Sequence, residues 1–567
     1  MKPFPPRAIP TQTGNPRRTP SSEDGSTLLG VLTILTFLAA GLGMYLNSIG
    51  NIRRVQEQRI MNDRSLMAAE AGLAKAISKL NGMSTPPSSD DTWNMNLAAD
   101  SFSPFQTVTV NVYPRTVSSQ AQWTLVSTAT YDNSDTRHSP LARRVQATMT
   151  QQNFARYESF VNDFGGSWTP GYFQFEGFDS VYLGPYHANS GVAFWPNLWM
   201  LKETTTAATG GVNTYANYGS YMSVYGNAAA NSAVNILNYY DSNFCNAPKF
   251  YGGLTVLPKP ISLPTDLNTD TRATQLRNNA GLNLPAGYTG YDATKGPNFA
   301  VEILSPTASS ADSVIEVKQY LGTSGGAPSY GPTRTYNINT INNSMVVKGN
   351  VKSLKGVLNG KLTVAAFKTT ELANAGNIDI TGNLEYKSRK AISGFQYTDN
   401  ASLYTADHSG INQSAVDTLL NQLNNVTDTL GLVAEKDVMI KERDLSGNLI
   451  AADMNVPLYI DAIVMATGAS TTASSDGGFG VENNLTRAKG KSYFLGGTIQ
   501  NYNLSWALYS GGVHTAGILC NRLWDQRAYK PGGSPPYFPT TGNLQFLSQS
   551  WRSTYVKEAT DTAWIPN

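Results

Sequence analysis

The sequence predicts an α+β protein in three parts: one very long N-terminal helix, a small antiparallel sheet, and a large β-rich region built like a solenoid or β-helix. Three observations carry this reading. From Ser26 to Ile52 the chain is apolar and holds no charged residue, and it continues to Leu80 as an amphipathic segment without a proline. Three segments between residues 107 and 150 alternate apolar and polar side chains. Beyond residue 340, short β-prone runs are separated by Gly-Asn corners.

The apolar run exceeds the roughly 20 residues that a membrane-spanning helix needs. Lipid offers the backbone no hydrogen-bond partner, so such a run is helical. With no breaker before Leu80, residues 26–80 make one rod of roughly 80 Å at the helical rise. Lys2, Arg7, Arg17 and Arg18 precede it and hold the N-terminus in the cytoplasm, with everything after about Asn51 outside. Arg53 and Arg54, on the far side, run against that count. An ordinary secretory signal is disfavoured, because its cleavage site follows the apolar run.

Residues 81–101 read as a polar linker broken at Thr85-Pro86-Pro87-Ser88-Ser89-Asp90-Asp91. Thr107–Tyr113, Trp123–Tyr131 and Arg143–Thr150 then alternate with period two, as an antiparallel meander with one wet face. Its dry face needs a cover, and Leu66–Leu80 of the helix is the nearest candidate. This sheet is assigned to residues 81–153. Residues 154–339 read as a loop-rich β region, with short strands at Tyr172–Phe175 and Val181–Leu183 and an extended piece at Pro258, Pro260 and Pro264. Residues 340–530 read as stacked rungs: Val346–Val351, Gly356–Ala366, Gly376–Tyr386, Leu430–Ile440, Leu458–Ala466 and Tyr493–Ile499, burying an apolar stack that no single rung could hide. Ser414–Leu423 reads as a helix over them, and a β-sandwich of similar short strands is the alternative. Residues 531–567 form a C-terminal segment that the sequence does not place.

Composition favours a secreted β-rich protein over a cytosolic enzyme. The chain has 567 residues, is rich in Gly, Asn, Ser, Thr and Tyr, and is low in charge. Lys plus Arg is 42 and Asp plus Glu is 40. Without residues 1–25 the count is 38 of each, so no global basic bias advertises nucleic acid. Cys245 and Cys520 are candidates for a disulfide, but sequence cannot set their distance. No Cys-x-x-Cys pair suggests a metal, and no cofactor motif is present.

Nothing in the sequence reads as catalytic. The four histidines, His138, His187, His408 and His514, lie in no Gly-x-Ser-x-Gly, His-Glu-x-x-His or phosphate-loop context. His187 reads as structural, since no acidic or Cys partner lies at ligand spacing. Glu435 and Asp461 read as solvated rung edges. Asn342, Asn425 and Asn484 fall in Asn-x-Ser/Thr patterns, expected by chance in this composition. Lys348, Lys352, Lys355, Lys361, Lys368, Arg487, Lys489 and Lys491 would be DNA contacts if they shared one face, with Tyr386 or Tyr493 to stack on single strands. The plainer reading is that these lysines solvate strand edges and block sheet-to-sheet pairing.

Glu23-Asp24-Gly25-Ser26 and the apolar run after it resemble the N-terminus of a type IV prepilin, and Ala68-Ala69-Glu70-Ala71-Gly72-Leu73 is similar to the matching segment of PilX-type minor pilins. The resemblance implies a leader, residues 1–25, cleaved between Gly25 and Ser26 by a prepilin peptidase. The precursor would sit in the inner membrane and then join other major and minor pilins in a surface fibre. Most pilins carry a Glu at the fifth mature position, where this chain has Gly30. The K-type pseudopilins at secretion-fibre tips also lack it, which implies a place at the tip. Gly184–Asn189, Leu430–Glu435, Ile460–Ala462, Gly496–Ile499, Trp524–Arg527 and Pro535–Pro539 resemble a widespread extracellular domain found on PilX-like N-termini, over roughly residues 154–551. A β-solenoid on a pilin core is also similar to competence-associated minor pilins, which implies DNA capture in natural transformation. A surface adhesin with glycan-holding loops, or a membrane-anchored envelope protein outside any fibre, are the alternatives.

Overall fold

A computed structural model describes residues 24–83, 86–97, 107–117, 120–131, 141–163, 180–189, 261–306, 312–398, 402–403, 411–450, 456–468, 477–482, 488–504, 506–510, 513–530, 532–546 and 552–556. Between residues 172 and 255 it also describes a set of short strands, mostly by backbone alone.

One helix, α1 (Asp24–Gly82), runs unbroken for 59 residues, about 88 Å at the helical rise. Its two halves meet different surroundings. From Thr27 to Ile60 every side chain is exposed, while from Ser65 onward positions 65, 68, 69, 72, 73, 76 and 80 are buried. That spacing of three and four places them on one face. In the apolar half, the hydroxyls of Thr33 and Thr36 donate back to the carbonyls of Leu29 and Leu32, so neither is left unpaired in the apolar run.

The buried stripe lies on an antiparallel sheet of β1 (Asp91–Asn96), β2 (Thr107–Val117), β3 (Gln120–Tyr131) and β4 (Leu141–Asn153), in that order. Ala68, Ala69, Leu73, Ala76 and Leu80 pack on Val108, Val110, Val112, Leu125, Val145, Ala147 and Met149. Small residues on the helix let the sheet come close: a Cβ on Gly72 would stand 2.7 Å from Val108 Cγ1. One feature differs from expectation and one settles a segment that the sequence left unplaced. The supposed linker 81–101 contains the edge strand β1, whose Trp93 and Met95 face the core while the residues between them face solvent. The C-terminal segment supplies the opposite edge, with Thr540–Phe546 and Arg552–Val556 both antiparallel to β4.

Everything from residue 154 to 539 is therefore inserted between two paired strands. At the junction Asn153 Nδ2 donates to Phe538 O and Phe154 N to Pro539 O, both at 3.2 Å. The insert is built mainly of parallel ladders. The first has 11 strands, with β5 (Ser159–Asp163) in its interior. From β5 it proceeds through Tyr186–Ala188 to Leu254–Thr255 on one side. On the other it runs through Thr498–Tyr502, Ile463–Ala466, Thr429–Ala434, Lys361–Phe367 and Ser344–Lys348 to Leu282–Leu284. The second ladder joins Asn298–Leu304, Asn350–Leu358, Ile378–Tyr386, Leu458–Asp461, Ala488–Gly496 and Val513–Trp524 in parallel. Antiparallel strands Val314–Ser324 and Ala507–Ser510 border its two ends.

The Val, Ile and Leu side chains of both ladders form one shared core, which the helix Gln413–Asn421 joins through Val416 and Leu419. The other face of the first ladder is also covered, by Phe154, Tyr157, Leu267, Leu276 and Phe538. Burial on both faces is why Thr429–Ala434 and Ile463–Ala466 are continuous hydrophobic runs with no wet side. Residues 200–255, part of the stretch read from sequence as a loop-rich β region, carry strands of two to five residues in three parallel columns. Such short strands do not alternate long enough to be seen by period.

Gly72→Leu should pry α1 from β2 and β3. We expect a loss of about 1–3 kcal/mol by overpacking, measured as a lower urea midpoint with the slope unchanged.

Candidate functional site: the bare helix and the inserted unit

The first half of α1 is long and apolar enough to cross a membrane, and none of it is buried within the chain. Leu29 is 71% exposed and Phe37 and Met44 are each 75% exposed. Side chains of this size cost about 1.5–3 kcal/mol each to leave in water, so this surface is covered in use by lipid or by other helices. Gly25 and Ser26 lie in the first turns of α1, and their surroundings are outside the described residues. Gly30 is helical and has open space where a Cβ would stand. No charged side chain interrupts the exposed surface from Thr27 to Ile52.

The basic residues singled out from sequence do not share one face. Lys348, Lys361 and Lys368 belong to the first ladder or its ends, and Lys352, Lys355, Lys489 and Lys491 to the second. Carboxylates engage several of them. Lys352 lies 3.6 Å from Asp379, Lys355 3.8 Å from Glu302, and Lys368 3.3 Å from Asp266 and 3.5 Å from Glu435. Lys361 donates to Gly532 O, and Lys489 is buried and donates to Glu482 O. Arg487 lies outside the described residues. Lys348 and Lys491 are exposed. Tyr386 is fully buried, its hydroxyl accepting from Leu430 N, so it cannot stack on a base. Tyr493 is half-buried, stacked on Tyr459 at 5.2 Å.

Glu435 and Asp461 are a correction: both are buried, not solvated rung edges. Asp461 takes the Arg389 guanidinium at 2.9 Å, the Tyr397 hydroxyl at 2.9 Å and Tyr386 N at 2.8 Å. Glu385 takes the other end of Arg389 at 3.0 Å. A buried carboxylate survives only when paired and hydrogen-bonded in this way, and here the cluster pins residues 385–397 to the second ladder. Glu435 accepts from Lys368 N and Leu267 N and ties the cover segment to the first ladder. In sequence, Arg389 carries no cue that it would be buried, and its partner Asp461 stands 72 residues away.

His187 is fully buried, stacked on Phe160 at 4.7 Å and bonded to Asn189 at 2.8 Å. Burial pushes its pKa down to about 4, so the ring is neutral and acts in packing. Cys520 is a half-buried thiol, while Cys245 lies outside the described residues. Among the described residues, no group of His, Cys, Asp and Glu could hold a metal ion.

Sequence reasoning passed over Glu158. It sits where β5 meets Thr498–Tyr502, at the join between the two directions of the first ladder. Its backbone carbonyl accepts from Thr498 N at 2.9 Å, and its side chain accepts from Gly184 N at 2.5 Å. Gly184 has no room for a side chain, because Trp524 would be 2.4 Å from its Cβ. Burial pushes the Glu158 carboxyl up from 4.5 to about 7, opposed by the Gly184 amide and the Arg522 charge. Between those pH values the folded chain binds this proton and the unfolded chain does not, so the term destabilises as pH rises. Glu158→Gln, which keeps an acceptor for Gly184 N, should flatten the fall in stability between about pH 5 and pH 7. Melting temperatures across that range check this; an unchanged slope would show that Glu158 is not the titrating group.

No protein-family model matches the chain, and no curated protein matches it. Among solved structures it is similar to the competence-associated pilin ComZ from Thermus thermophilus, at 15% identity and a TM-score of 0.26, over 87% of this chain and 98% of that one. At that TM-score the functional reading rests on this chain's own helix, sheet and inserted unit.

Proposed function

We propose that the chain is a minor pilin of a type IV pilus-like fibre that carries a large extracellular binding unit at its tip. The observation that carries this is the two-part helix: its bare apolar half suits first a membrane and then a bundle of like helices, while its other half is the lid of an antiparallel sheet. Processing by a prepilin peptidase would fall between Gly25 and Ser26, leaving the leader, residues 1–25, behind. Gly30 at the fifth mature position supports the tip, since a subunit with nothing above it needs no carboxylate there. Residues 26–153 with the C-terminal strands form the pilin part, and residues 154–539 the display unit. The parallel registers support reading that unit as a β-solenoid. The precursor is read as an inner-membrane protein, N-terminus inside, that later moves to the cell surface.

DNA capture is the ligand reading that the family resemblance implies. Adhesion to a surface glycan is the second, and the pairing of Lys352, Lys355 and Lys368 with carboxylates favours it. A single-stranded or duplex polyanion needs a run of uncompensated cations.

Mass spectrometry of the chain from the native host should find Ser26 at the N-terminus, and the uncleaved leader in a strain lacking the prepilin peptidase. The same size in both strains would make it an anchored envelope protein. Titration of the detergent-solubilised chain with single- and double-stranded DNA should give no binding at micromolar concentration near physiological salt. Micromolar or tighter binding, falling along a straight log–log salt line, would restore DNA capture as the leading role.

A further inference from the structure

The insert has a cleft of about 410 Å³ at the Leu282–Leu284 end of the first ladder, lined by Asn283, Leu284, Pro285, Ala286, Tyr288, Tyr291 and Lys348. That volume lies within the range of small-ligand sites. The end strand is five ladder steps from Thr498–Tyr502, about 24 Å at the strand spacing.

Its walls are held from behind. The Tyr288 hydroxyl donates to Pro332 O and accepts from Gln319 N, and its ring meets Phe299 edge-on at 5.4 Å. Tyr291 stacks on Phe299 with its ring nearly parallel, at 6.2 Å, and its hydroxyl donates to Glu371 at 3.3 Å. Burial and the neighbouring carboxylates of Glu371 and Asp292 push that hydroxyl up to about 12, so it stays a donor. Asn283 is exposed, and its Nδ2 donates to Ala280 O at 3.1 Å.

Lys348 is the one cation in the lining, and like Lys361 and Lys491 it has no carboxylate in ion-pair range among the described residues. Lys318, Lys352, Lys355, Lys368, Lys390 and Lys441 each have a carboxylate in ion-pair range. Lys348 is exposed beside the cleft and, among the described residues, has none. One uncompensated ammonium beside an aromatic wall suits a ligand with one anionic group on a ring that can stack. A phosphate chain needs several cations in a row, and the lining has one.

We propose that this cleft binds an acidic oligosaccharide, with a uronate carboxylate on Lys348, a pyranose ring against Tyr291 and hydroxyls on Asn283. This deepens the adhesion reading but is tested apart from it, because a purified chain either binds the sugar or does not, whether or not it enters a fibre.

The test is calorimetric titration of the full chain in detergent with an aldotriouronic acid, which carries one uronate on two neutral sugars, with its methyl ester, and with an oligothymidylate as competitor. We expect saturable binding of the acid. Lys348→Gln and the methyl ester should each weaken it by about tenfold or more, the size of a charged hydrogen bond. Tyr291→Ala should abolish binding, while Tyr291→Phe, which keeps the ring, should leave it within about threefold, since a half-exposed hydroxyl contributes little. No binding of the acid, equal binding of its methyl ester, or full affinity in Lys348→Gln would overturn the proposal. Displacement by the oligothymidylate would overturn it too, and assign the cleft to nucleic acid.

Discussion

Strand β4 carries more of this molecule than any other segment. One edge pairs with β3, and the other takes Thr540–Phe546 and Arg552–Val556 in succession. Its inward residues Val145, Ala147 and Met149 lie in the core beneath α1. Its last residue, Asn153, bonds Phe538 across the two connections that lead into and out of the insert. Through this strand the helix, the sheet and the insert are mechanically one object. Two connections side by side, closed by backbone hydrogen bonds, resist the swivelling that a single linker would allow.

The insert solves a different problem. Parallel strands must be covered on both faces and leave open edges only at the ends of a stack. Here the two ladders cover each other, and the segments around Phe154, Leu267 and Phe538 cover the outer face of the first. Several buried charges sit where a long-range tie is made. Glu435 holds the cover segment, and Asp461 with Arg389 and Glu385 holds the crossing after Tyr386. The Glu158 carboxylate marks the join at β5. Each is a polar fastener in an otherwise apolar stack, and Glu435, Asp461 and Glu158 each accept from at least one backbone amide.

The sequence made some of this legible and left the rest hidden for identifiable reasons. The helix was plain, because a run without charge from Ser26 to Ile52 and the small, evenly spaced residues after Ser65 have strong local signatures. So were β2, β3 and β4, which alternate over 11 to 13 residues. β1 was missed because its six residues are polar at every second position and follow a Pro-Pro break. The return of Thr540–Phe546 to β4 is non-local and has no sequence mark. The same holds for the site residues. Basic residues are visible one by one, but whether Lys352 faces Asp379, or Lys348 lacks a carboxylate among the described residues, depends on ladder register, which a sequence does not display.

The insertion also fixes an order of events. Asn153 and Phe538 are 385 positions apart, yet they are neighbours in space. A chain emerging N-terminus first presents α1, β1, β2, β3 and β4 early, with the outer edge of β4 bare until the last residues arrive. Closing so long a loop is slow, and an open strand edge invites wrong partners meanwhile. A chain cut anywhere in the insert would keep the helix and lose the edge strands. Thr540–Phe546 and Arg552–Val556 thus act as a checkpoint: only a chain made through both strands can finish the sheet on which the helix rests.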